Sequence, residues 1–239
     1  VKQVTRLDRA KSLARARAQS KRSGELKVAD ISFQGYIREK DYENTSLIGL
    51  ANPIGSGTAR YQRVGRKIWL RSVRIRGIVE FRFTNRPERQ HSQYGIVCRF
   101  ALVYDTQPQG VLPLASDIFE QLDQEGETEF EITSSLNTNN TDRFRVLRDF
   151  FIVGNPPYLP AAEGEDYIPT VRTSHLIDEF VDLQELVTIY NNDNSDSLIP
   201  DIASGGLYFI RMASLDDSPN AAAWLDGCSL RLRYTDCHR

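Results

Sequence analysis

The chain has 239 residues, 40% of them hydrophobic and 26% charged, enough to bury a core without staples as one large all-β domain or two smaller ones. No run approaches the ~18 consecutive apolar residues of a membrane helix, and no apolar h-region of secretory type is present. The near-neutral total of 30 Lys/Arg against 32 Asp/Glu hides an asymmetry, because residues 1–27 hold nine basic side chains (Lys2, Arg6, Arg9, Lys11, Arg15, Arg17, Lys21, Arg22, Lys27) against only Asp8 and Glu25.

A basic arm, residues 1–30, thus precedes a mildly acidic body, residues 31–239, a layout suited to reaching into a polyanion while the folded part stays soluble. From Arg6 to Arg22 the arm is rich in Ala, Leu, Arg and Lys, good helix formers with too small an apolar stripe to bury much. A solvated tail, a segment that orders on nucleic acid, a nuclear localisation signal and a mitochondrial transit peptide all share this composition.

Residues 31–66 show Gly, Ser, Asn and Pro without clear periodicity and read as loop, with Asn52-Pro53 and Gly55-Ser56-Gly57 as breakers. Lys67–Thr84 then alternates as a strand, with Val73, Ile75, Val79, Phe81 and Phe83 on one face and Arg74, Arg76, Glu80 and Arg82 on the other. Tyr94–Tyr104 is a nearly continuous apolar strand. Ala115–Leu122 reads as the one short helix, capped by Ser116 and burying Ile118, Phe119 and Leu122. Strands follow at 144–147, 150–153, 175–183, 186–190, 207–213 and 228–234. Short strands joined by long polar loops predict an all-β, antiparallel two-sheet jelly roll rather than βαβ units.

The three cysteines, Cys98, Cys228 and Cys237, are odd in number and lack CxxC spacing, which argues against a disulfide framework or a zinc site and favours a reducing compartment. Cys98 sits in an apolar strand and reads as a small buried hydrophobe.

Three segments in serial order carry a resemblance: Gly57-Thr58 with Gln62–Ile68, Leu102–Gly110 followed by Asp117-Ile118-Phe119, and Asn139–Asp149. With the arm and a strand ending in Tyr234-Thr235-Asp236, the chain resembles the capsid proteins of small circular single-stranded DNA viruses (CRESS-DNA, geminivirus-like). It is similar in plan to plant satellite virus coat proteins. The resemblance implies a single eight-stranded jelly roll with sheets BIDG and CHEF. It puts B at 67–84, C at 94–105, D at 143–147, E at 149–154, F at 175–183, G at 186–190, H at 206–214 and I at 228–235, with the helix in the C–D loop. Geminivirus coats carry a cysteine- and histidine-rich stretch near the start. This arm has neither residue, so a zinc-assisted DNA contact is not carried over.

On that assignment Arg74, Arg76, Arg82, Arg143, Arg145, Arg231 and Arg233 share the outer face of one sheet, while Asp178, Glu179 and Asp182 belong to the other. Each arginine alone reads equally as the solvated side of a half-exposed strand. The expected nucleic-acid contacts are therefore Arg6, Arg9, Lys11, Arg15, Arg17, Lys21 and Arg22 in the arm, with Arg74, Arg76, Arg143, Arg145, Arg231 and Arg233 on the sheet. Tyr61 and Trp69 are the candidate base-stacking aromatics, Trp69 also suiting a core or subunit contact.

Catalytic signatures do not emerge. His91, His175 and His238 are scattered, and HExxH, GxSxG, Walker A and GxGxxG are missing. No cofactor is expected. Structural Ca²⁺ between subunits has candidates in Asp193, Asp196 and Asp201 and in Asp216-Asp217, which read equally as solvated loops.

The expectation is a non-enzymatic viral capsid protein that self-assembles into an icosahedral shell of about sixty copies and packages single-stranded DNA, with RNA left open and no membrane partner. It would act in the virion and in the host nucleus during assembly. A non-assembling cellular nucleic-acid-binding β-sandwich and an organellar cupin-like enzyme are the rivals.

Overall fold

The computed structural model describes residues 25–37, 48–84, 95–120, 122–124, 127–129, 132–155, 170–214 and 221–236. The strands are β1 (Leu26–Ile37), β2 (Ile48–Leu50), β3 (Lys67–Thr84), β4 (Ile96–Asp105), β5 (Leu122–Gln124), β6 (Glu127–Glu129), β7 (Phe144–Gly154), β8 (Thr170–Tyr190), β9 (Ile202–Ser204), β10 (Gly206–Ala213) and β11 (Ala221–Asp236), with the one-turn helix α1 at Ala115–Ile118. They form sheets in the orders β1-β11-β3-β8-β9 and β2-β10-β4-β7, and β5-β6 is a separate hairpin. Every strand pair is antiparallel.

Lettering the strands of the two sheets in chain order, the edge strand β9 aside, makes β1, β11, β3 and β8 the B, I, D and G of a jelly roll, and β2, β10, β4 and β7 its C, H, E and F. The expected antiparallel jelly roll is therefore present, with β9 added at the edge of one sheet and the separate β5-β6 hairpin rather than eight strands alone, and the letters shift. Lys67–Thr84 is D rather than B, and the strand at Ile96–Asp105 is E rather than C. The segments read as separate strands at 143–147 and 149–154 are the single strand F, and those at 175–183 and 186–190 are the single strand G. H and I stand where expected, I being longer. The helix accordingly lies in the E–F connection. It spans four residues, with Leu114 rather than Ser116 at its cap, and the Asp117 carboxylate accepts from the Leu114 N–H at 2.9 Å.

The shift has a local cause. In β1 the alternation of Ala29, Ile31 and Phe33 is cut by a bulge between Phe33 and Gly35, and a lysine, Lys27, takes a buried position. β2 is only three residues long. In β8 the polar pair Gln184 (φ 50°) and Glu185 (φ 63°) looks like a turn in sequence, yet the ladder to β3 resumes beyond it with a register shift between Leu70 and Ser72.

The main core lies between the sheets, where Val73, Ile75, Val79, Phe81 and Phe83 of β3 meet Cys98, Phe100 and Leu102 of β4 and Leu230, Leu232 and Tyr234 of β11. Burial pushes the Cys98 thiol pKa far up, as expected of a packed cysteine. A second core covers the outer face of the β2-β10-β4-β7 sheet, where Ile118 and Phe119 roof Ala101, Val103, Tyr208, Ile210 and Met212. β4 is thus buried on both faces, which explains its unbroken apolar run. Arg99, 3% exposed, pins the roof: its guanidinium lies 4.2 Å from the Phe119 ring centroid, pairs with Asp149 at 2.6 Å and donates to the carbonyls of Ile132 and Ser134.

Candidate nucleic-acid interface

The two sheets differ on their outer faces. One is roofed and apolar. The outer face of the β1-β11-β3-β8 sheet is open and charged, and the register lays its side chains in rows. One row runs Asp30, Arg231, Arg74, Phe180; the next runs Ser32, Ser229, Arg76, Asp178; on the other side lie Val28 and Arg233, with Ser72 and Asp182. At their centre is a concavity of about 270 Å³ lined by Ser72, Arg74, Arg76, Phe180, Ser229, Arg231 and Arg233.

Four of the six sheet arginines expected from sequence therefore meet in one site. Three of them are not free cations. Arg74 forks onto Asp178 at 2.8 and 2.9 Å, Arg76 reaches the same carboxylate at 3.3 and 3.1 Å, and Arg231 forks onto Asp30 at 2.8 and 2.9 Å. Hydrogen bonds from Arg74 and then Arg76 hold the Asp178 carboxyl far below the usual carboxylate range, and the Arg231 hydrogen bond lowers Asp30. Arg233 has no carboxylate partner among the described residues.

The expected separation of charge by sheet is overturned. The segment carrying Asp178, Glu179 and Asp182 is strand G, hydrogen-bonded to β3, so its acids lie in the same sheet as the arginines. Asp178 faces the arginines. Glu179, one residue on, points the other way and pairs with Arg148 of β7 at 2.7 Å.

Arg143 and Arg145 are also displaced, because strand F belongs to the opposite sheet. Arg143 grips the fully buried Asp105 at 3.0 Å and lies 4.5 Å from the Phe144 ring centroid, which makes it a structural tie at the E–F corner. Arg145 is exposed beside Tyr104 on β4, away from the quartet.

Arg6, Arg9, Lys11, Arg15, Arg17, Lys21 and Arg22 lie outside the described residues. Lys27, counted with the arm by charge, is in the body: it is 3% exposed and pairs with Asp236 at 2.7 Å. Arg63, in the motif that carried part of the resemblance, is fully buried. It donates to the carbonyls of Ile54, Gly65 and Asn192 and stacks 4.1 Å from the Tyr190 ring centroid, so its place in the motif is architectural.

Tyr61 is exposed, but it borders a different groove of about 770 Å³ along the open edge of β1, with Arg60 and Asp196. Trp69 is half-buried, with the Lys67 ammonium 5.6 Å from its ring centroid. Of the Ca²⁺ candidates, Asp193 is taken up by Arg66 and Arg63, and Asp201 accepts from Asn192 and the Leu198 N–H. Asp216 and Asp217 lie outside the described residues, and no group of three or more His, Cys, Asp or Glu poised for a metal occurs among the described ones.

Residues 1–237 match the family described as geminivirus coat protein/nuclear export factor BR1. The chain belongs to that family. It is accordingly a structural coat protein, placed in the virion by its family.

Two solved viral structures are similar at low identity. A structure of infectious bursal disease virus, Gt strain, matches at 10% identity and a TM-score of 0.23 over 87% of this chain, which spans only 32% of that one. An unassembled KI polyomavirus VP1 pentamer matches at 8% identity and a TM-score of 0.23, over 88% of this chain and 92% of that one. No curated protein matches. The jelly-roll topology of this coat-family protein rests on its own strand order.

Sequence reasoning missed Asp30 and Asp178 as partners of the arginines, and Phe180 as a wall of the concavity. A signal for Phe180 existed. In His175–Leu183 apolar and acidic residues occur at both parities, so one face of that strand had to expose a large hydrophobe.

Proposed function

We propose that this coat-family protein assembles with copies of itself into a closed icosahedral shell of about sixty subunits and packages single-stranded DNA. The basic arm and the Arg74, Arg76, Arg231 and Arg233 face would be turned to the lumen. The observation that carries the reading is the inequality of the two outer faces: one is an arginine-floored open sheet, the other an apolar face already roofed by α1 and its loops. A polyanion finds its complement on the first. Arm cations and sheet guanidinia that neutralise phosphates release counterions, which gives sequence-independent affinity that falls steeply with salt. The arm's basic clusters also suit import into the host nucleus.

Negative-stain microscopy of the purified full chain across salt and pH, with and without single-stranded DNA, tests the proposal. Closed particles that retain DNA are expected, and a strictly monomeric species under all conditions overturns assembly. The family description also names a nuclear export factor, which favours a second reading as a nucleic-acid carrier that does not assemble. Deleting residues 1–27 separates them: a capsid protein still forms closed or lattice-like assemblies, whereas a carrier only loses binding.

A further inference from the structure

The arginine-floored concavity has a wall that electrostatics alone does not explain. Phe180 is 63% exposed on a strand whose opposite side supplies Ile177 and Val181 to the boundary of the core. It stands across from Arg74 in the β3–β8 ladder, two residues from the carboxylate that orients the Arg74 and Arg76 guanidinia. An exposed phenyl ring on a solvated sheet face costs hydration unless something covers it. The concavity it walls is specific: four guanidinia and the hydroxyl residues Ser72 and Ser229, with Asp178 and Asp182 flanking the ring on its own strand.

An apolar partner peptide would strand Arg233 and bury the three paired guanidinia, and a bare phosphate would leave the ring uncovered. A nucleotide satisfies both, since its phosphate meets the arginines and serines while its base lies on the ring. About 270 Å³ is slightly below the ~300 Å³ lower bound of small-ligand pockets, room for one base with its phosphate.

The geometry points to Phe180 as a base-stacking platform that makes this face selective for single-stranded over double-stranded nucleic acid. The inference rests on the packaging reading and adds to it the residue that tells the two forms apart. A duplex presents phosphates to the same arginines but keeps its bases stacked on one another, so it cannot cover the ring. Arg233, lacking a carboxylate partner among the described residues, is the guanidinium open to the first phosphate.

The test compares full-length wild type, Phe180→Ala, Phe180→Tyr and Arg233→Ala, with a 20-nucleotide oligo-dT and a 20-base-pair duplex as probes. Phe180→Ala is expected to weaken oligo-dT binding on the order of tenfold while leaving duplex affinity and the salt dependence unchanged, because no charge is removed. Phe180→Tyr restores binding. Arg233→Ala flattens the salt slope for oligo-dT by about 0.7 and weakens both probes. In wild type, an oligonucleotide carrying 5-iodouracil crosslinks to Phe180 on irradiation, read by peptide mass spectrometry.

Equal oligo-dT affinity for wild type and Phe180→Ala, or crosslinks that avoid β8, overturns the inference and leaves packaging standing. A Phe180→Ala protein that binds oligo-dT normally but no longer assembles marks Phe180 as a subunit contact and overturns it too. Failure of wild type to bind oligo-dT at all overturns the packaging reading, and this inference with it.

Discussion

Replacing Lys27 with Met tests whether this lysine belongs to the arm or to the body. By charge alone Lys27 is one more cation of the basic segment. In the folded chain its ammonium is 2.7 Å from Asp236 and donates to the Gln62 carbonyl at 2.7 Å, with the two side chains 4% and 0% exposed. The same Asp236 oxygen accepts from the Val64 N–H at 3.2 Å, and the other carboxylate oxygen, Oδ1, is buried without a hydrogen-bond partner. The pair therefore ties the start of β1, the end of β11 and the 62–64 loop together.

Methionine matches the lysine stem but leaves the carboxylate buried with one backbone donor. Breaking a buried pair in this way costs about 3–5 kcal/mol, a large share of the 5–15 kcal/mol typical of a folded domain. Urea unfolding followed by tryptophan fluorescence should show that loss as a fall in midpoint with little change in slope. The double variant Lys27→Met with Asp236→Leu should recover most of it, because an apolar pair of similar volume avoids the desolvation of both charges. A Lys27→Met protein destabilised by less than about 1 kcal/mol, within reach of an exposed pair, and showing instead a flatter salt dependence of DNA binding, refutes the reasoning and returns Lys27 to the arm.

Three further outcomes are expected. Asp178→Asn frees the forks of Arg74 and Arg76 for phosphate, so the plot of log affinity against log salt for oligo-dT steepens by up to about 1.4, two contacts at 0.7 each; an unchanged slope shows that neither guanidinium reaches the nucleic acid. Arg143→Ala leaves that slope unchanged, because Arg143 lies in the opposite sheet, but strands the buried Asp105 and lowers unfolding stability by about 3 kcal/mol. Asp30, Asp178, Asp193 and Asp201 are all held below their ordinary 3.8, chiefly by hydrogen bonds from Arg231, Arg74, Arg66 and the Leu198 N–H respectively. A depressed folded-state value means their stabilisation is full above 3.8 and lost as the pH falls through the folded values. Urea midpoints measured from pH 6 to pH 2 should therefore drop at the acid end, and Asp193→Asn should shrink the drop.

The fold class was legible because the long strands alternate cleanly: Val73 to Phe83 and Leu230 to Tyr234 are buried on the parity that the sequence shows. The strand letters were not legible, because each error followed from a polar residue doing a structural task. Lys27 takes a buried position in β1, Arg148 and Asp149 sit inside one continuous β7, and Gln184 with Glu185 bend β8 without ending it. Letters decide sheets, so the misplaced letters sent Arg143 and Arg145 to the wrong face and moved Asp178 off the right one. The quartet survived because β3 and β11 are neighbours under either lettering. What no single-strand pattern can carry is a cross-strand partner. That Asp30 answers Arg231 depends on a pairing between residues about two hundred positions apart.

That pairing has a kinetic consequence. β11 lies between β1 and β3, so the middle of the arginine-bearing sheet is filled by residues 221–236. During synthesis β1 emerges early and has no neighbour in its sheet until β11 leaves the ribosome. The sandwich must therefore close late, through contacts of high sequence separation, which makes for slow folding. A chain cut short before residue 221 loses Arg231 and Arg233 together with the strand that joins the two halves of the sheet. Truncated chains thereby lack a finished arginine-bearing sheet face.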